Sequence, residues 1–308
     1  MGWFSNGKCT SKVRLDGKTA VITGANTGIG KKTALDLAKR GATVIMACRN
    51  IDKAKEATKG IKKCGNEKVI VEKLDLSSLQ SVQDFCTRIQ KNHQNIHLLI
   101  NNAGVITKLR ELSVDGYEMH FATNHLGHFL LTLLLLPTII APQPARIVNV
   151  SSKFHIFTRS LHFDDVNLEK SYQTLLAYAR SKLANILFTR ELAHRLKDTG
   201  VNVYCLHPGV VRTEISRHVD SSFFRGARWL YHTVGYPFMK SPKQGAQTTL
   251  YCALDEKTAN NTGLYYDDCK VSCTSALAKN DEVAKELWEV SEKMVNLGDF
   301  DPFLSLKK

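Results

Sequence analysis

The stretch YARSK at 178–182 sets a phenol, Tyr178, and an ammonium, Lys182, four residues apart, in a segment whose apolar positions Leu183, Ile186, Leu187, Leu192 and Leu196 recur at helical spacing. On a helix the two groups share one face, a turn apart. A free tyrosine, with a pKa near ~10, holds its proton too tightly to act as a base near neutrality, and a neighbouring ammonium stabilises the phenolate and lowers that value. Such a pair can give a proton to a developing alkoxide or take one from an alcohol. Taken alone, the same spacing also fits a surface tyrosine whose ring lies on a lysine stem.

A second constellation is TGANTGIGKKTALDLAKRG from Thr23 onward, in which Gly24, Gly28 and Gly30 separate an apolar run from a helical pattern. A strand, a tight glycine turn and a helix N-terminus aim backbone N–H groups and the helix dipole at a pyrophosphate. The spacing Gly-x-x-x-Gly-x-Gly differs from the G-x-G-x-x-G fingerprint of the common dinucleotide fold.

The elements that must position these residues are strand-like runs at TAVIT (19–23), TVIMAC (43–48), VIVEKLDL (69–76), HLLINNAG (97–104), RIVNVSS (146–152) and VNVYCLHP (201–208), with a last short one at GLYYDD (263–268). Helix-length segments lie between them. Near-continuous apolar strands alternating with helices predict an α/β fold, a Rossmann-like doubly wound parallel sheet with helices on both faces. Without repeat, linker or composition break, residues 1–308 read as one domain, with a cofactor half at about 17–150 and a catalytic and substrate half at about 151–295. Two segments depart from the alternation: 153–177, polar and aromatic, and 214–242, where Phe223, Phe224, Trp229, Tyr231 and Phe238 mix with Arg217, Arg225, Arg228 and Lys240. Long segments of this kind usually cover an active site at the carboxyl ends of the strands. The aromatic and basic mixture of the second also suits a lid resting on an anionic lipid surface.

A formal charge of +13 favours phosphorylated ligands or anionic surfaces, but the basic run at 50–68 lacks the interleaved aromatics or zinc ligands of a nucleic-acid module. No nucleic-acid partner is expected. Cys269 and Cys273 are the closest of eight cysteines and have no accompanying ligand pair, so no metal is expected. The cysteines are scattered and the N-terminus does not read as a secretory signal, which points to reduced thiols in the cytoplasm. The apolar run FLLTLLLLPTII (129–140) falls short of the ~20 residues that span a bilayer and reads as a buried core helix ending at Pro137. Gly2 is followed by Asn6 where myristoylation wants Ser or Thr, so lipidation there is weakly supported.

Residues 23–30 resemble the TGxxxGxG signature of short-chain dehydrogenases/reductases, and NNAG at 101–104, Asn124, Ser152, Tyr178-x-x-x-Lys182 and PGVVRT at 208–213 match that family's other signatures in order, over about residues 17–295. The resemblance implies hydride transfer with Tyr178 as general acid/base, Lys182 tuning it and bonding the nicotinamide ribose, Ser152 (second of the pair Ser151-Ser152) donating to the substrate oxygen, and Asn124 holding a water of the proton relay. It also implies a cofactor site made of Gly24, Asn26, Thr27, Gly28, Ile29, Gly30, Arg49, Asp75, Leu76, Asn102, Ala103, Gly104, Tyr178, Lys182, Pro208, Gly209, Val211 and Thr213. Asp75 and Leu76 would border the adenine, and Asn102 to Gly104 the ribose. At the end of the second strand, MACRN carries no carboxylate at 47–50 for a ribose hydroxyl, while Arg49 can bind a 2′-phosphate bidentately. Asn26 and Lys31 are further candidates there, and the expected cofactor is NADP(H). His125, His128 and His207 show no metal-ligand spacing and are expected in packing or local hydrogen bonds.

Within the family, DGYEMHFATNHLGHFLLT, SKLANILFTRELAHRL and HPGVVRTEI are most similar to the retinol dehydrogenase branch. That implies a lipophilic alcohol and its aldehyde or ketone, retinol and retinal above all, as the substrate pair. A steroid or xenobiotic carbonyl reductase, and a non-catalytic NADP-binding scaffold or sensor, are the rival readings. The branch often has an N-terminal hydrophobic anchor, which this sequence does not show. Peripheral contact with a membrane, such as the cytosolic face of the endoplasmic reticulum, or with a lipid droplet is compatible with the sequence, as is a homo-oligomer. Arg180, a bulky charge inside YARSK, has no role that the resemblance supplies.

Overall fold

The apolar runs form β1 (Thr19–Thr23), β2 (Thr43–Cys48), β3 (Val69–Lys73), β4 (Leu98–Asn101), β5 (Ala145–Val150), β6 (Val201–His207), β7 (Leu264–Asp267) and β8 (Lys270–Val271) of a computed structural model that describes residues 7–141, 143–212 and 239–306. They make one sheet in the order β3-β2-β1-β4-β5-β6-β7-β8, parallel except for β8. This is the Rossmann-like α/β fold that the sequence predicts. The antiparallel β8, two exposed residues, carries no apolar signal and was not predicted.

Helices α1 (Gly28–Lys39), α2 (Ile51–Lys62) and α7 (Pro242–Leu254) cover one face, and α3 (Leu79–Asn92), α5 (Gly127–Ile140), α6 (Thr174–Arg195) and α8 (Asp281–Val295) the other. The strands serve both cores by alternation: Val21 and Ile45 point to the second group, Ala20, Ile22, Val44 and Met46 to the first. A turn α4 (Met119–Phe121) and a π-helical turn (Ala122–Leu126) lead into α5 without a break. The 22-residue helix Met119–Ile140 is long and apolar enough to cross a membrane, with mean hydropathy 1.4, but 83% of that stretch is buried in the fold. It does not end at Pro137. The proline forfeits one intrahelical bond in the last turn, and burial of Ile139 and Ile140 keeps that turn in place.

Each predicted strand from the second half of VIVEKLDL to VNVYCLHP runs past the observed one at its carboxyl end. The surplus residues, Asp75, Leu76, Asn102, Ala103, Gly104, Ser151, Ser152 and Pro208, leave the ladder to line a cleft. Register brings those ends level, with Ile22 opposite Ile100, Asn101 opposite Asn149 and Val150 opposite Leu206. Crevices at the carboxyl ends of parallel strands are where such sheets bind ligands. The segment 153–177 holds two 3-10 turns and, from Thr174, the first turn of α6. Thr213 and the aromatic and basic segment from 214 to 238 lie outside the described residues.

Candidate active site

The strand ends open on a cleft of about 610 Å³. Gly24 and Gly28 take φ of 65° and 52°, the left-handed region that suits glycine. Gly30 needs no special φ, but a Cβ there would lie 2.4 Å from the Gly24 carbonyl oxygen and 2.6 Å from Asn102 Nδ2. The turn is strapped to the end of β4: Asn102 Nδ2 donates to the Thr23 carbonyl at 2.8 Å, and the N–H groups of Asn102 and Ala103 donate to Thr23 Oγ1, each at 2.9 Å. Asn50, Ser78 and Ser241 cap α2, α3 and α7 with their side chains, whereas Thr27 makes no such bond to α1. Thr27, Gly28, Ile29 and Gly30 line the cleft, so the first-turn N–H groups of α1 are available to an anion there.

All the residues assigned above to the cofactor that are among the described residues line this cleft. Arg49 makes no ion pair among the described residues. Lys53, in the first turn of α2, lines the same wall, and Asn50 between them accepts the Lys53 backbone N–H at 2.9 Å. Sequence reasoning missed Lys53; its signal was its place four residues after Arg49 at a helix start. Lys31, named above as a further phosphate partner, does not line the cleft. A helix N-terminus without a side-chain cap, a turn with glycine at 24, 28 and 30 and two cations at the rim fit a phosphorylated dinucleotide.

At the other end, Tyr178 and Lys182 lie one turn apart on α6, both buried. Lys182 Nζ donates to the Val150 carbonyl at 3.0 Å and stands 5.7 Å from the Tyr178 ring centroid. Burial pushes the Tyr178 phenol up to about 12, against a pull downward from its hydrogen bond with Ser152. Burial likewise brings the Lys182 ammonium down to about 8. The lowering of the phenol that the spacing alone predicts is thus reversed in this structure: the ammonium sits over the ring face, and desolvation dominates.

The two serines differ in their partners. Ser151 Oγ donates to the Lys182 carbonyl at 2.6 Å, a bond that ties β5 to α6, while Ser152 reaches the phenol. Asn124 sits in the π-helical turn, fully buried; its Oδ1 accepts the Val105 N–H at 2.8 Å, and its Nδ2 donates to the Val105 carbonyl and, at 2.9 Å, to Ser181 Oγ. A Cβ on Gly104 would lie 3.3 Å from Lys182 Nζ and 3.4 Å from Asn124 Oδ1, so these two groups flank the same glycine. His128 pairs with Thr23 Oγ1 and the Asn124 carbonyl, His125 with Ser291 Oγ, and His207 Nδ1 accepts the Lys153 N–H. Burial takes His125 and His128 down to about 3, so both stay neutral. Among the described residues no group of three or more His, Cys, Asp or Glu side chains is arranged to hold a metal ion.

A buried tyrosine and lysine at the carboxyl ends of a parallel sheet, in one cleft with a glycine turn on the same sheet, is the layout of α/β dehydrogenases, and that is the class to which fold and cleft lead. The comparisons narrow it: a family model described as short chain dehydrogenase matches residues 18–222, and the chain belongs to that family of oxidoreductases acting on CH–OH groups. It is 49% identical to retinol dehydrogenase 11 of Homo sapiens over 295 residues, covering 96% of this chain and 91% of that protein. It is 46% identical to retinol dehydrogenase 12 of Mus musculus, covering 96% and 92%. Among solved structures, an uncharacterized protein from Mycobacterium Paratuberculosis is 34% identical with a TM-score of 0.73, covering 92% of this chain and 95% of that one. A structure described as an NAD(P) dependent gluconate 5-dehydrogenase from Beutenbergia cavernae with bound NADP is 25% identical, TM-score 0.67, covering 83% and 96%.

Proposed function

We propose that this protein is an NADP(H)-dependent oxidoreductase that interconverts a lipophilic alcohol and its aldehyde or ketone, with retinol and retinal as the favoured pair. The observation that carries the reading is one cleft that joins Ser152, Tyr178 and Lys182 to an apolar wall of Ile106, Phe154, Leu175, Val210 and Met239. Its similarity to proteins named retinol dehydrogenase supports the substrate class. Arg49 and Lys53, with no carboxylate at 47–50, support NADP(H), as does the NADP bound to the gluconate 5-dehydrogenase relative. The backbone of Gly24 to Gly30 holds the diphosphate, Asp75 and Leu76 border the adenine, Asn102 to Gly104 the ribose, and Pro208, Gly209, Val211 and Thr213 complete the site.

When bound, a nicotinamide cofactor would supply or accept the hydride. Ser152 donates to the substrate oxygen and holds it beside the Tyr178 hydroxyl. Tyr178 gives its proton as the oxygen gains charge; raised by burial, the phenol carries that proton at neutral pH and yields it to the much more basic alkoxide that hydride arrival creates. Lys182 supplies positive charge one turn away, and Asn124, beside Lys182 Nζ against Gly104, is the residue to which the family resemblance gives the water that returns the proton. A lipophilic substrate is supplied from a membrane or lipid droplet, which supports a cytoplasmic protein with peripheral contact at such a surface. Initial rates with NADPH and NADH against all-trans-retinal, a medium-chain aldehyde and a ketosteroid test the reading. Retinal with NADPH is expected to be fastest; a preference for the ketosteroid moves the assignment to a steroid reductase, and no turnover with any of them leaves a cofactor-binding scaffold.

A further inference from the structure

Behind Tyr178 lies a cluster that the reaction does not use. Glu118 and His120 are fully buried and Arg180, the unexplained residue of YARSK, nearly so. Glu118 Oε1 pairs with His120 Nδ1 at 2.6 Å and accepts the His120 N–H at 3.0 Å; Oε2 accepts the Phe121 N–H at 2.9 Å and faces an Arg180 guanidinium nitrogen at 3.5 Å. The arginine stacks over Phe121 at 5.0 Å and donates to the carbonyls of Val166 and Leu161. Its charge is thus spent on one buried carboxylate and two carbonyls of the 153–177 segment. A buried ion pair arranged in this way fixes geometry more surely than it adds stability.

The other end of the cluster reaches the cleft. His120 Nε2 accepts the Thr107 N–H at 3.0 Å, two residues after Val105 is clasped by Asn124. Ile106, between these two anchors, lines the cleft. The imidazole ring is edge-on to Tyr178 at 6.3 Å and stacked on Tyr172 at 6.5 Å, and Tyr172 donates to the Leu109 carbonyl at 3.2 Å. We infer that Glu118, His120 and Arg180 form a positioning device that holds the Ile106 wall at a set distance from Tyr178 and thereby selects long lipophilic substrates; the substrate part of this inference rests on the function proposed above. His120 acts through the Thr107 N–H and touches no reacting atom.

The two nitrogens of His120 can be separated by substitution. His120→Asn keeps a donor near the Nδ1 position for Glu118 but loses the acceptor for Thr107, whereas His120→Gln carries an acceptor close to where Nε2 stood. In His120→Asn the KM for all-trans-retinal should rise about tenfold, the factor that one lost hydrogen bond gives, with kcat/KM for a short aldehyde within about twofold. Hydrogen exchange of the Thr107 amide should speed up in parallel. His120→Gln should restore both readouts. Equal losses for long and short aldehydes, equal effects of Asn and Gln, or unchanged Thr107 exchange would overturn the inference. If neither variant folds, rapid exchange of the Thr107 amide in the unmutated protein overturns it, and slow exchange supports it. If the unmutated protein turns over no aldehyde, the proposed function fails, while the exchange data still decide whether His120 holds the loop.

Discussion

At the β1 to α1 turn the shape is set by backbone, with Gly24 and Gly28 in left-handed conformations and the turn strapped to β4 through the Thr23 hydroxyl, whereas at the Tyr178 end the wall is built by side chains that reach carbonyls far away in sequence. Arg110 donates to Asn167, Tyr172 to Leu109 and Thr174 to Lys108, across 57, 63 and 66 residues. The first construction admits no side chain at Gly24, Gly28 or Gly30 and is fixed by their spacing. The second can be altered one contact at a time while the sheet stays as it is. A common cofactor grip with an adjustable substrate wall follows from that difference.

The comparison can be broken most sharply at Tyr178. Tyr178→Phe should lower kcat by about 10²–10⁴, the range of general acid–base catalysis, and leave NADPH affinity, followed by fluorescence titration, nearly unchanged. Loss of NADPH binding in this variant would join the two ends that we hold to be separate. Lys182 is held at about 8 against an ordinary 10.5, so between those values the unfolded chain binds the proton more strongly and stability rises with pH. Removing that group in Lys182→Met should therefore make the wild type gain stability over the variant from pH 8 to 10.5, by on the order of 3 kcal/mol. Thermal melts across that window check it, and a constant difference would show that Lys182 is not desolvated. Tyr178, raised to about 12, acts in the opposite sense only above its ordinary value of 10.

Smaller effects belong to the cofactor end. Arg49→Asp should move preference from NADPH toward NADH by about ten- to a hundredfold in kcat/KM, since a charge-assisted hydrogen bond contributes about 1.5–3 kcal/mol. Rates of the unmutated enzyme that are equal with both cofactors would remove the premise. Two glycine variants give the finest contrast. Gly30→Ala forces a Cβ against backbone and should cost about 1–3 kcal/mol and weaken NADPH binding. Gly60→Ala, inside α2 with nothing within 4 Å of the new Cβ, should raise stability by about 0.5–1 kcal/mol without touching binding. Calorimetry on both variants sharpens the claim that only the turn requires glycine for function.

The same contrast explains what could be read from the chain. The strands β1 and β2 are predicted to the residue, because continuous apolar runs beside glycine turns are local signals. The cleft residues Asp75, Asn102, Ser152 and Pro208 were legible as the tails of predicted strands. Arg180 was not, since its partners Glu118, Leu161 and Val166 are set by tertiary packing. Nor was the sign of the Tyr178 shift, which depends on how deeply α6 is buried and which way Lys182 points. Lys53 escaped notice because lysine recurs through the basic run, so its place four residues after Arg49 at a helix start does not stand out, and only the fold turns it to the cleft.

The π-helical turn at Ala122–Leu126 has a further consequence for the helix that contains it. Such a turn accommodates one surplus residue, and each residue of an α-helix advances the screw by about 100°. The short turn before it, Met119–Phe121 with Glu118 as its cap, and the helix after it, with the leucines of the core, are therefore out of phase and can face different surroundings. Loss of a single residue from this turn would put both halves on one regular spiral and rotate the active-site half away from Val105 and Thr107, leaving the apolar half seated. The helix is thus an angular adapter between a core stripe and a reaction centre, set by the count of residues rather than by their identity.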